Sequence, residues 1–202
     1  MKRGRFITFE GIDGAGKSTH VEWFAEQLRA AGHLVQVTRE PGGTDLGEQL
    51  RGITLNQPMS ALTELLLVFA ARAEHLSQRI RPALASGEWV VCDRFTDSTF
   101  AYQGAGRMMG EPTVAELERI VHGDLQPDRT YLFDLEAGEA ARRRAAARAA
   151  DRFEAEDLAF FSRVRDAYLR RARLEPERFV VIDGSRSPDD IRAKLKLDIT
   201  TL

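Results

Sequence analysis

Nine residues, GIDGAGKST from Gly11 to Thr19, narrow the possible folds more than any other stretch of this chain. Gly11, Gly16, Lys17 and Ser18 fit G-x-x-x-x-G-K-[ST], with Ile12, Asp13, Gly14 and Ala15 between the glycines and Thr19 following. Glycine lets a backbone turn its N–H groups toward a phosphate, and a helix opening at the end of the loop adds the positive end of its dipole. The β-rich run RFITFE precedes the loop, and Val21, Phe24, Ala25 and Leu28 follow at helical spacing. In that context Gly11 to Thr19 read as a nucleoside triphosphate site. Lys17 is expected to reach the β- and γ-phosphates, and Ser18 to ligate Mg²⁺.

A strand, loop and helix in that order need a sheet to sit in. LVQVTRE (Leu34 to Glu40), EWVVCD (Glu88 to Asp93), RTYLFDL (Arg129 to Leu135) and RFVVID (Arg178 to Asp183) read as four further strands. EWVVCD is apolar through its middle, as a strand buried on both faces requires. Between the strands lie helical patterns: a short one around Leu46, Leu50 and Ile53, and a longer one from Ala61 to Ser86 that Pro82 kinks or divides. Others are carried by Val114 to Val121, by Glu154 to Leu174, and by Pro188 to Leu197. This alternation predicts a three-layer α/β fold of the P-loop NTPase type, a five-stranded parallel sheet flanked by helices. Residues 1–202 are expected to form one domain, with a small mobile lid at about 141–153.

Composition removes other classes. The formal net charge is −2 and the sequence pI about 6.1, so no bulk basic surface seeks nucleic acid. No run approaches the roughly 18 apolar residues of a membrane span, and MKRGRFITFEG lacks the apolar stretch of a signal peptide. A single cysteine, Cys92, excludes an internal disulfide. A cytoplasmic setting is expected. His20, His33, His75 and His122 have no metal-ligand spacing and read as surface or helix-packing residues. No N-K-x-D guanine motif supports a switch GTPase. Only Lys2, Lys17, Lys194 and Lys196 of 29 basic residues are lysines, so an arginine here counts as evidence only through its position.

Two segments supply such positions. CDRFTDSTFAYQG begins where the third strand ends, at the edge where open parallel sheets bind ligands. Asp93 is placed to reach Mg²⁺ through water, unless it merely caps a helix. Arg94 is placed to clamp a phosphate with its planar fork, and Tyr102 and Gln103 offer groups suited to a sugar and a base. TREPGGTDLGEQLR follows the second strand, bringing Glu40 to its end and Arg51 into the next helix. In VFAARAEH, Phe69 and Arg72 are three apart on one helical face. They suit a nucleobase, or equally a core phenylalanine beside a solvated arginine.

FEGIDGAGKST, REPGGT, CDRFTDSTFAYQG and DRFE, in that order and across most of the chain, resemble the thymidylate kinase family, which transfers the γ-phosphate of ATP to dTMP. The resemblance implies that ATP occupies the glycine loop and that dTMP is the second ligand. It implies that Asp13 meets the acceptor sugar's 3′-hydroxyl, that Arg94 and Arg51 grip the acceptor phosphate, and that Arg72 bonds the thymine ring. Glu40, Ser98, Thr99 and Gln103 complete the dTMP pocket, with Tyr102 set against a ribose 2′-hydroxyl. Relatives stack a phenylalanine at the position of Val68; here Phe69 is expected to take that role. The family further implies a homodimer. Other nucleotide kinases, acting on AMP or deoxynucleosides, are the nearest alternatives.

Phosphoryl transfer rests mainly on positioning and electrostatics, and the loop supplies Lys17 as its one cation because Gly14 follows Asp13. EAARRRAAARAADRFE offers Arg142, Arg143, Arg144, Arg148 and Arg152. It resembles the lid of bacterial members, in which arginine closes over ATP. Arg144 and Arg148 share a helical face and are expected to bind ATP, with Arg148 catalytic beside Lys17, Arg94 and Asp93.

Overall fold

The computed structural model describes residues 3–145, 152–153 and 156–202, and at 144 and 145 the backbone alone. The strands are β1 (Phe6–Glu10), β2 (Val35–Arg39), β3 (Trp89–Asp93), β4 (Arg129–Asp134) and β5 (Phe179–Asp183). They form one parallel sheet in the order β2-β3-β1-β4-β5. The helices are α1 (Ser18–Ala30), α2 (Asp45–Asn56), α3 (Ala61–His75), α4 (Arg81–Ser86) and α5 (Thr96–Thr99), then α6 (Glu111–Val121), α7 (Ala137–Ala145), α8 (Leu158–Leu174) and α9 (Pro188–Ile199). The expected three-layer architecture is present.

Alternation within the central strands feeds two cores. Phe6, Val90 and Cys92 turn toward Leu76, Ile80 and Leu84, while Phe9 and Val91 belong with the buried face of α1. That face is Val21, Phe24, Ala25 and Leu28, the spacing legible in the sequence, with the Phe24 ring edge-on to Phe9 at 5.3 Å. Burying such a face is worth about 1.5–3 kcal/mol per large side chain. α8 buries Phe160, Phe161, Val164 and Tyr168.

The helical pattern from Ala61 to Ser86 is unbroken, but its register changes. Leu76–Ile80 forms a π-type turn between α3 and α4, just before Pro82. Proline lacks an N–H and its ring crowds the carbonyl four residues back, so the backbone widens there. Thr96–Gly106, which is not among the helical patterns read from the sequence, is also helical: α5 runs into a second π-type stretch, Phe100–Gly106. The short α2 is rotated against simple expectation. Gly47 and Thr54 are its buried residues, whereas Leu46 and Ile53 are exposed.

Register brings the carboxyl ends of the strands level. Arg39 of β2 and Phe9 of β1 both lie opposite Asp93 of β3, and Asp134 lies opposite Asp183. The glycine loop leaves β1 at this edge.

Candidate active site

The loop from Gly11 to Lys17 is built for close approach. Gly11 and Gly16 have φ of 134° and 97°, and a Cβ at Gly11 would stand 2.3 Å from the Phe133 carbonyl oxygen. Other side chains are thereby excluded at Gly11. α1 begins with no side-chain cap and no acidic residue in its first turn, unlike α2, α3, α8 and α9, which Thr44, Ser60, Asp157 and Ser187 cap. Its first N–H groups therefore keep their capacity for an anion. Lys17 is buried, and its Nζ donates to the carbonyls of Gly11 (2.8 Å) and Ile12 (3.1 Å). Burial, with the nearby Arg94 cation, lowers its pKa to about 8. A Cβ at Gly184 would stand 2.9 Å from the Ala15 carbonyl oxygen, so the loop after β5 borders this cradle.

Ser18 Oγ stands 3.5 Å from Asp93 Oδ2, and Asp93 Oδ1 is buried with no hydrogen-bond partner among the described residues. A hydroxyl facing an unsatisfied carboxylate oxygen is the oxygen-donor chemistry Mg²⁺ takes, so these two residues fit the metal.

A second cavity opens beside the loop, between β3, α3 and the helical segment after β3. Asp13, Arg94, Ser98 and Tyr102 line it together with Glu40, Arg51, Arg72, Thr99 and Gln103. All nine dTMP-directed positions other than Phe69 thus meet in one space. Arg94 has φ of 70°, a conformation that costs a non-glycine residue on the order of 1–3 kcal/mol and that the surroundings must enforce. Its Nη2 donates to Asp13 Oδ1 (2.6 Å) and the Tyr102 hydroxyl (3.2 Å), and its Nη1 to the Gly11 carbonyl (3.0 Å). Burial would raise the Asp13 carboxyl, but Arg94 and Lys17 outweigh it and hold Asp13 well below the usual carboxylate range. Arg51 Nη1 donates to the Pro41 carbonyl at 3.0 Å.

Arg72 is buried and held from two sides: Nε donates to Glu40 Oε2 (2.6 Å) and Nη2 to Thr99 Oγ1 (3.0 Å). Its Nη1 is buried without a partner among the described residues. Glu40 also bonds His75, whose Nδ1 lies 2.9 Å from Oε1 and whose Nε2 lies 2.7 Å from Thr38 Oγ1. His75 is thus the buried outer support of Arg72, beyond the helix packing expected of it. Gln103 Nε2 donates to Glu64 Oε1 (2.7 Å), a fully buried carboxylate that also pairs with Arg107 and Arg152.

Phe69 corrects the sequence reading. It does not line the cavity; Val68 does, while Phe69 packs with Leu65, Phe100 and Val114, its ring 4.8 Å from the Arg72 guanidinium carbon. Four residues bring a side chain closer to the same helical face than three, so Val68 keeps the face that points toward the ligand with Arg72. V68A is expected to raise KM for dTMP about threefold to tenfold with little loss of stability. F69A should cost about 3–5 kcal/mol of stability, read by urea unfolding, with a smaller change in KM. The reverse pattern would restore Phe69 to the pocket.

Several lining and supporting residues were not assigned from sequence. Pro41, Thr54, Leu55 and Phe153 line the cavity, and Phe153 belongs to the quoted DRFE. Of the arginine-rich stretch, Arg142 and Arg143 both pair with Glu139, and Arg143 also donates to the Gly184 carbonyl. Arg152 turns to Glu64 and the Thr54 carbonyl, toward the acceptor side. The side chain of Arg144 and the whole of Arg148 lie outside the described residues.

Glu10, at the end of β1, is fully buried and accepts from Phe95 N (2.7 Å), Ser98 Oγ (2.6 Å) and the Tyr168 hydroxyl (2.8 Å). Burial, reinforced by Asp97, pushes its pKa from 4.5 up to about 7 despite Arg94 and the hydrogen bonds. The folded protein then keeps a proton that the unfolded chain releases, so this group's contribution is fully present below pH 4.5 and lost as pH rises toward 7. Urea unfolding across that range should show wild type losing stability relative to E10Q as pH rises. A constant difference would place the Glu10 ionisation at its ordinary value.

A phosphate cradle with one buried lysine, facing a second cavity lined by paired arginines, defines a P-loop phosphotransferase with separate donor and acceptor sites. Known proteins agree and are more specific. The family model described as Thymidylate kinase matches residues 9–195. Thymidylate kinases of Burkholderia vietnamiensis and Burkholderia cenocepacia are 57% and 58% identical to this chain, each comparison covering 100% of both chains. The crystal structure of thymidylate kinase from Ehrlichia chaffeensis superposes with a TM-score of 0.80 at 34% identity, covering 99% of each chain. The chain belongs to the thymidylate kinase family.

Proposed function

We propose that this enzyme transfers the γ-phosphate of ATP to dTMP, giving ADP and dTDP, a step in dTTP synthesis. The observation that carries the reading is the second cavity, where Arg72 is held rigid by Glu40 and Thr99 and keeps a buried Nη1 unpartnered among the described residues. An arginine presents donors only. It therefore favours a ring whose edge is a carbonyl, as in thymine, over one bearing an amino group. Arg94 and Arg51, both in the lining of the same cavity, suit the acceptor phosphate, with Asp13 toward the sugar and Tyr102 against a 2′-substituent.

In the donor site Lys17 and the loop amides from Gly11 to Thr19 hold the β- and γ-phosphates. Ser18 directly and Asp93 through water would hold Mg²⁺, which supplies neutralising charge to the polyphosphate. Lys17 and Arg94 flank the path between the two sites and stabilise charge on the phosphoryl group in transit. The acceptor phosphate is anionic at neutral pH, so it attacks without a general base. Arg144 and Arg148 on a lid over ATP remain our assignment for the additional cation, and closure there would keep water from the γ-phosphate. Phosphorus NMR of ATP and dTMP with the enzyme tests the reading. New dTDP resonances that vanish on chelation of Mg²⁺ are expected; ADP with free phosphate and no dTDP would refute it.

We also assign a homodimer and a cytoplasmic setting. Leu46 and Ile53 on α2, and Leu62 and Leu66 on α3, are 44–53% exposed, an apolar surface that a second copy would cover. L66E is expected to halve the mass seen by light scattering; an unchanged mass would place the interface elsewhere. The cytoplasmic assignment rests on the single cysteine, which is free and buried in β3. No described helix is long and apolar enough to cross a membrane.

A further inference from the structure

Arg94 could grip a phosphate only if its own guanidinium were fixed, and part of what fixes it, the Tyr168 hydroxyl with Glu10 beyond it, lies outside the cavity lining. Its Nη1 donates to Ser98 Oγ and to the Tyr168 hydroxyl, 3.1 Å each, and these two oxygens are 2.7 Å apart. A hydroxyl that accepts from arginine must send its own hydrogen elsewhere. Both hydroxyls converge on Glu10 Oε2, at 2.6 and 2.8 Å, while Oε1 is engaged by Phe95 N. With Glu10 ionised, the donors run from guanidinium to hydroxyl to carboxylate. Tyr168 enters from α8, 158 residues away from Glu10 in sequence.

From this geometry we infer that Glu10 is a positioning residue of the acceptor-phosphate clamp, holding the Ser98 and Tyr168 hydroxyls in the orientation that fixes Arg94. Packing alone does not require a carboxylate there, since a fully buried acid is costly where an apolar or neutral side chain is not. The groups around it are mixed in sign: Asp97 on α5 and Arg94 before it, Lys17 on the loop, Cys92 in β3, and Tyr168 on α8. Burial makes Glu10 reluctant to ionise, a cost that the relay to Arg94 explains. A glutamine would still accept from Phe95 N through its oxygen. Its amide nitrogen would donate toward the two hydroxyls, and the relay would run against itself.

The inference rests on the reading of Arg94 as the phosphate clamp, so the test separates phosphate from the rest of the nucleotide. Binding of dTMP and of thymidine, which lacks the phosphate, is measured by calorimetry on wild type, E10Q and Y168F, alongside steady-state kinetics. E10Q is expected to weaken dTMP about tenfold or more, the loss of bonds to a charged group, with thymidine affinity and KM for ATP within about twofold. Y168F removes one oxygen from the relay, keeps the ring, and should show the same selectivity at several-fold. It also carries the test if E10Q folds poorly. Equal losses for dTMP and thymidine, or none, would reduce Glu10 to a structural residue and overturn the inference. A wild type that does not phosphorylate dTMP would overturn the functional reading and this inference together; an active wild type with unselective variants would overturn this inference alone.

Discussion

Lys17→Met should lower kcat by about 10²–10³-fold with KM for dTMP within a few-fold of wild type. Lys17 is buried within the loop, its ammonium held by the carbonyls of Gly11 and Ile12 on the donor side of the site. Methionine keeps the length and apolar stem but removes the charge. The loop then contributes no cation to the charge spread over the transferring group. Without ligand, burial lowers the lysine pKa to about 8; an incoming polyphosphate would raise it again and keep the ammonium charged through the working range. Stopped-time assays at saturating ATP and dTMP measure the effect. A kcat within tenfold of wild type would remove Lys17 from the centre of the account.

Arg94→Lys should have its largest effect on the other substrate, with kcat/KM for dTMP falling by about 10²–10³-fold and KM for ATP changing little. The substitution keeps the charge, which matters because alanine would remove the cation paired with the Asp13 carboxylate and confuse function with folding. What it removes is the fork. Arg94 serves Asp13 and Tyr102 with one nitrogen, and Gly11, Ser98 and Tyr168 with the other. A single ammonium cannot reach both sets at once. The effect is measured by varying dTMP at saturating ATP; a variant with unchanged kcat/KM would mean that charge alone suffices and that the fixed geometry of Arg94 is incidental.

The sequence was most legible where local pattern and local structure coincide. β1, the glycine loop and α1 followed from one motif and one run of apolar spacings, and Val21, Phe24, Ala25 and Leu28 are all buried as that spacing requires. The helical nature of Thr96–Gly106 was not legible, because a segment rich in threonine, aromatic residues and glycine has weak intrinsic helix preference and owes its shape to packing against α8. The choice between Val68 and Phe69 turns on a rotation of about 100° per residue on α3, finer than motif spacing resolves. Leu46 and Ile53 marked α2 correctly as a helix, yet their apolar side faces outward; periodicity does not say what covers a face.

The supports behind the site were the least legible of all. Glu10, Glu64 and His75 were present in the sequence with no local signal, because their partners come from distant elements: Tyr168 on α8, Gln103 after β3, and Glu40 after β2. A single sequence gives no means to pair residues so far apart. What could be read was Asp13, Glu40 and Arg94, which lie just beyond the ends of β1, β2 and β3 and line the second cavity, where chemistry and topology coincide.

The acceptor site is the central claim, and its chemistry is read most directly by its choice of substrate. ADP release with Mg²⁺-ATP would be followed in parallel with dTMP, dUMP, AMP and CMP. The account predicts strong preference for dTMP, retained activity on dUMP only at reduced efficiency because it shares the carbonyl edge that Arg72 reads, and none above background with AMP or CMP. ADP release that is equal with every acceptor, or with none added, would contradict it.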